Sequence, residues 1–253
     1  MKKIFLCLLV AVFVLTGMSS CDALKKTDKT TDARFFEAVN IDSENGTCAI
    51  KLNNDNLTDL PSEITLPTEL DGKKVIAVAN NGFRGTERLK KVFVPKGYLE
   101  IGTDAFSGCS NLTLVELAAN LKVSEESADR SAEENADRSA EENAGMIIGH
   151  SAFANCVALA TVEFGGNVKE IGEYAFKNTR ITRAELTAVT KIGDHAFEDC
   201  KALTSVYISS AMQPSGIGQD IFSGCSSGLK FEIHETAKAN GVTEELLKNG
   251  GNA

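Results

Sequence analysis

Seven cysteines and three histidines stand first among the residues of this 253-residue chain whose side chains could act as nucleophiles, bases or metal ligands. Cys109, Cys156, Cys200 and Cys225 stand at the same place in a recurring pattern, where a buried cysteine packs as a small hydrophobe, so they are read as structural thiols. A metal site would need Cys-x-x-Cys or paired Cys and His at ligand spacing, and the sequence contains neither. Cys48 has no evident partner. His150, His195 and His234 fall at different places in the pattern and do not line up as one site. Nucleophile, base and orienting group are therefore not brought together, and no Gly-rich phosphate loop is present. Neither an enzyme nor a cofactor is expected.

Binding chemistry is carried instead by outward-pointing side chains, and these depend on the repeat that positions them. Ile101-Gly102, Ala105-Phe106, Cys109, Leu112, Val115 and Leu117 return as Ile148-Gly149, Ala152-Phe153, Cys156, Leu159, Val162 and Phe164. They return again as Ile192-Gly193, Ala196-Phe197, Cys200, Leu203, Val206 and Ile208. A degenerate first copy surrounds Phe83, a terminal copy surrounds Phe222, and the copy at Phe176 carries Asn178-Thr179 and is one residue short. The phenylalanines 83, 106, 153, 176, 197 and 222 are separated by 23, 47, 23, 21 and 25 residues, and the long gap equals two periods.

A period of about 20 to 29 residues with Leu-x-x-Leu-x-Leu character predicts a leucine-rich-repeat solenoid. Short parallel strands stack with irregular turns, mainly β with little helix. Each copy has too little apolar surface to fold alone, and stacking builds one core with a parallel sheet along one side. Phe and Cys are expected in interior ladders. The Gly after Ile is read as permitting a tight turn that a side chain would obstruct.

Residues two apart on a strand share a face. Val206 and Ile208 point inward, so Ser205 and Tyr207 point outward. At the Tyr207 position the copies carry Phe93, Glu116, Glu163, Glu185 and Glu232. Glu116, Glu163 and Glu185 would stack as like charges if the insertion between them loops out, with Lys91 and Arg183 relieving part of the repulsion. One reading is a solvated polar face. The other is a ligand-binding face formed by Phe93, Glu116, Glu163, Arg183, Glu185 and Tyr207, with the two aromatic residues as anchors.

The flanks supply context. Residues 1–20 have a positive start, an apolar run from Ile4 to Leu15 and small residues before Cys21, the layout of a secretory signal. Met18-Ser19-Ser20-Cys21 resembles the lipobox of bacterial lipoproteins, which implies a diacylglycerol on Cys21. Residues 21–34 are polar and read as the lipidated residue with a tether, and residues 35–74 as an N-terminal cap. The repeats occupy residues 75–234, and residues 235–253 form a C-terminal cap and tail, with Thr243 as a helix N-cap. Within residues 122–145 the pattern stops. The unit Ala-Asp-Arg-Ser-Ala-Glu-Glu-Asn occurs twice there, acidic and without an apolar face. The net charge of -9 argues against a nucleic-acid partner, which would need clustered Lys and Arg.

The pattern Ile-Gly-x-x-Ala-Phe-x-x-Cys-x-x-Leu, with its Asn-Thr variant, resembles the Treponema-type, or BspA-like, class of leucine-rich repeats. Ile64 to Val78 is similar to the strand and turn that enter the repeats in that class. The resemblance implies a surface lipoprotein whose partners are extracellular-matrix or bacterial surface proteins, held on the outer membrane or cell surface by its lipid. The alternative is a scaffold lipoprotein inside the envelope.

Overall fold

A computed structural model describes residues 30–118 and 145–249. The signal segment, Cys21, the tether up to Lys29 and nearly all of the acidic insertion lie outside the described residues. The chain enters through an antiparallel pair, β1 (Phe36–Asp42) and β2 (Thr47–Leu52). It continues through β3 (Glu63–Thr65), β4 (Glu69–Leu70) and β5 (Lys73–Val78). The coils that follow alternate between two flanks. They contribute β6 (Lys91–Val94), β7 (Glu100–Ile101), β8 (Leu114–Leu117), β9 (Met146–Ile148), β10 (Thr161–Glu163) and β11 (Val168–Ile171). Then come β12 (Arg183–Leu186), β13 (Lys191–Ile192), β14 (Ser205–Ile208) and β15 (Lys230–Ile233). Two short helices, α1 (Glu235–Ala239) and α2 (Glu244–Asn249), end the described chain. No helix among the described residues is long and apolar enough to cross a membrane.

The molecule is a β-solenoid, as the repeat predicts, but with parallel strands along two flanks where one was expected. The Ile-Gly segments form a sheet in the order β1-β2-β5-β7-β9-β11-β13, with β4 on β5. The opposite flank holds the Leu-x-Leu segments. It is divided into a four-stranded sheet, β3-β6-β8-β10, and a three-stranded one, β12-β14-β15. β3 lies within the stretch read as a cap, yet it pairs with β6 as the first strand of that flank. The extra sheet went unnoticed because its β7 and β13 are two residues long and show no period-2 pattern.

The 47-residue gap between Phe106 and Phe153 counts as one coil and not two. β7 pairs with β9, β8 pairs with β10, and the two rings stack at 5.3 Å, so the coils on either side of the insertion are direct neighbours. The described chain stops at Ala118, just after β8, and resumes at Gly145, just before β9.

Between the flanks runs the core. The rings of Phe83, Phe106, Phe153, Phe176, Phe197 and Phe222 stack at 4.9 to 5.5 Å, with interplanar angles of 18° or less. Beside them the thiols of Cys109, Cys156, Cys200 and Cys225 each donate to the carbonyl of the Phe one coil back, at 3.1 Å. In the short coil Thr179 takes the Cys place, and its buried hydroxyl meets Cys200 Sγ at 3.2 Å. The ends are closed by apolar lids. Phe36 packs on Phe83 at one end, and Phe231 packs edge-on against Phe222 at the other, where Ala237, Val242 and Leu247 are buried. Thr243 Oγ1 accepts from the Leu246 amide and so caps α2.

The glycine after Ile has a different reason from the tight turn expected of it. A Cβ at Gly149, Gly172 or Gly193 would lie 2.5 to 3.0 Å from the backbone of the preceding coil, so only glycine permits the coils to approach. The left-handed turns fall two residues before and two after each Phe. Before it they use Asn81, Asp104, Ser151, Tyr174, His195 and Asp220, and after it Gly85, Gly108, Asn155, Asn178, Asp199 and Gly224. Most of these are the short polar residues or glycine that tolerate positive φ.

Candidate binding face

On the broken flank Val92, Val115, Val162, Ala184 and Val206 face the core and are buried, so the residues between them face out. Parallel register places these outward residues in two rows. One row runs Glu63, Lys91, Leu114, Thr161 in the first sheet and Arg183, Ser205, Lys230 in the second. The other runs Thr65, Phe93, Glu116, Glu163 and then Glu185, Tyr207, Glu232. Phe93, Glu116 and Tyr207 are half-buried, and Glu163 and Glu185 are exposed.

The like-charge ladder is shorter than its spacing suggested. Glu163 is directly opposite Glu116, whereas Glu185 belongs to the next sheet and no ladder bond joins β10 to β12 among the described residues. The coils remain bonded up to Thr182, whose amide donates to the Ala160 carbonyl at 3.3 Å, and then part. Burial, and then the charge of Glu163, push the Glu116 carboxyl above the ordinary range, with Lys91 pulling the other way. Arg183 Nε is 2.8 Å from Glu185, and Lys91 Nζ is 3.0 Å from Glu63.

Two hollows lie on this face. The larger, about 470 Å³, straddles the break and is lined by Thr161, Glu163, Phe164, Arg183, Glu185 and Thr187 among others. The second, about 320 Å³, is lined by Arg183, Ser205, Tyr207, Lys230, Phe231 and Glu232. Arg183 is common to both. The fold therefore brings Glu163, Arg183, Glu185 and Tyr207 into one contiguous surface, while Phe93 and Glu116 sit on earlier strands and line neither hollow. Lys230 escaped notice because the terminal copy departs from the pattern at Gly228.

Two of the histidines are closer than their repeat positions suggested. His150 packs edge-on against Tyr174 at 5.8 Å, and Tyr174 stacks on His195 at 4.9 Å. Lys177 Nζ lies over the Tyr174 ring and 3.1 Å from Glu198, which also meets His195 Nδ1 at 3.4 Å. This cluster ties adjacent turns together and holds no nucleophile. His234 stands apart and accepts from the Thr236 amide at the start of α1.

The cysteines at the described positions, Cys48 included, are free. Hydrogen bonding to Cys109 and Cys200, together with burial, pushes the Cys156 and Cys225 thiols up, away from the reactive thiolate. No group of three or more His, Cys, Asp and Glu among the described residues could hold a metal ion.

No curated protein matches the chain. Among solved structures, the T. pallidum leucine rich repeat protein superposes with a TM-score of 0.57 at 22% identity, over 83% of this chain and 94% of that one. A leucine-rich repeat protein from Bacteroides ovatus gives a TM-score of 0.57 at 24% identity, over 80% of this chain and 46% of that one. At such identities the likeness is one of fold. The family of BspA type leucine rich repeat regions matches in six copies, over residues 60–133 and 140–242. With the stacked Phe ladder and the coil register already in hand, that coverage means the chain belongs to the BspA-type leucine-rich-repeat family.

Proposed function

We propose that this protein is an exported lipoprotein, anchored through Cys21, that binds extracellular-matrix or bacterial surface proteins with the strand face bearing Phe93, Glu116, Glu163, Arg183, Glu185 and Tyr207. The observation that carries this reading is the pair of hollows meeting at Arg183, beside a half-buried Tyr207, on a face that no other part of the described chain covers. Aromatic and arginine side chains in partly desolvated depressions are the usual anchors of a protein interface. A stack of coils presents such anchors in fixed register, which suits an extended partner. The order of signal, lipid site, tether and solenoid supports display at a membrane surface. A family of protein-binding solenoids supports binding over catalysis.

Solid-phase binding of the chain to matrix proteins and to bacterial surfaces tests the reading. Saturable binding that falls at least about tenfold, or roughly 1.4 kcal/mol, in Tyr207→Ala or Glu163→Lys is expected. Binding to nothing by a folded chain sinks it and favours the scaffold role. Protease accessibility on intact cells tests the location, and loss of lipid labelling in Cys21→Ala tests the anchor.

A further inference from the structure

Resting on the reading of the strand face as a binding surface, we propose that the break between β10 and β12 is the specificity pocket and that it receives a Lys or Arg side chain from an extended segment of the partner protein. The break is the one interruption of the described strand flank, and the 470 Å³ cavity there has room for a long side chain. Its two walls carry carboxylates from different sheets, Glu163 from β10 and Glu185 from β12. Arg183 neutralises Glu185 from the same strand at 2.8 Å and holds it in place. Glu163 has no cation of its own among the described ion pairs and faces Glu116, a second carboxylate. The hollow therefore carries about one uncompensated negative charge, and one incoming ammonium or guanidinium balances it.

The apolar part of the lining favours such a side chain over a small cation. Phe164, Val162 and Ala160 line the cavity alongside Thr161, Thr182 and Thr187, so a methylene stem finds apolar contact while its charged head reaches the carboxylates. An extended segment places alternate side chains about 6.6 Å apart, on the scale of one to two strand spacings of about 4.8 Å. A residue two positions along from the cation is then directed toward the neighbouring hollow, where Arg183 and Lys230 outnumber Glu232 and a neutral side chain suits the place beside Tyr207. An extended segment with one Lys or Arg flanked by neutral residues is therefore the complementary partner.

The probe is a fluorescent decapeptide of Thr with a single central Lys (Thr/Lys), read by anisotropy against the full-length chain, with peptides carrying Gln (Thr/Gln) or Glu (Thr/Glu) at that place as comparisons. The Thr/Lys peptide is expected to bind at least about tenfold more tightly than the Thr/Gln peptide, and more weakly at higher salt. Glu163→Gln and Glu185→Gln are expected to remove that preference. The double variant Glu163→Lys/Glu185→Lys, folded by circular dichroism, is expected to prefer the Thr/Glu peptide, and Glu245→Gln on α2 to change nothing. Equal binding of the Lys and Gln peptides, or a Lys preference that survives Glu163→Gln, overturns the assignment. If a protein ligand binds in a Tyr207-dependent manner while the Lys peptide neither binds nor competes, the pocket assignment fails and the strand-face reading stands. If neither protein nor peptide binds the folded chain, both fail.

Discussion

The two flanks of this solenoid are built from the same coils, yet one is a continuous sheet and the other is broken. The Ile-Gly flank runs from β2 through β13 without interruption, across both the inserted segment and the short coil. The strand flank divides between β10 and β12, at the coil that lacks one residue between Phe176 and Ile181. On the continuous flank each glycine lets one backbone lie directly on the last, so spacing is fixed by contact. On the other flank spacing depends on hydrogen bonds from one coil to the next, and β12 enters one residue early. The regular flank holds the stack together, whereas the irregular one supplies a surface unlike that of any other coil.

This contrast can be broken by attacking the shared core. Phe153→Ala removes a fully buried ring stacked on both sides, and a loss of about 3 to 5 kcal/mol is expected in thermal or urea unfolding. Gly172→Ala attacks the continuous flank alone. Its Cβ would meet the Gly149 and His150 backbone at 2.7 to 2.9 Å, and overpacking of about 1 to 3 kcal/mol follows, whereas an ordinary turn glycine would cost less. Adding one residue after Thr179 sharpens the comparison from the other side. The expected result is a joined strand flank, read as increased hydrogen-exchange protection of Ala184 with little change in overall stability, and loss of the cavity at Glu163. Unchanged protection would show that the break does not come from the missing residue.

The smallest expected effect is electrostatic. The Glu116 carboxyl titrates above its ordinary range because of burial and then Glu163, so ionising it costs the folded state more than the unfolded chain. The stability tied to its protonated form is present below the unfolded pKa and is lost as pH rises through the folded one. Glu116→Gln is therefore expected to raise Tm slightly at neutral pH and to have no effect in acid. A rise that persists in acid would point to packing instead.

Much of the site was legible because period-2 alternation assigns inward and outward residues whatever the tertiary details. Val206 and Ile208 had to be buried, so Tyr207 had to face out. The Phe and Cys ladders followed equally directly, since one residue type recurring at one repeat position can only stack. Three features were not legible. A one-residue deletion is visible in the letters, but whether it strains a turn or splits a sheet depends on hydrogen bonds made between coils. The second sheet lies in segments too short to show a period. The 47-residue gap between Phe106 and Phe153 looked like two coils by length, and only the register of β8 on β10 makes it one.

By itself, then, the sequence determined the stacking, the interior and the identity of the outward row, because these follow from apolar spacing repeated along the chain. The tertiary structure alone decided which outward residues meet. Glu163 and Glu185 come from different coils and line one hollow, while Phe93 and Glu116 do not share it. That choice depends on where neighbouring strands stay bonded and where they part, a relation between coils and not a property of any one of them.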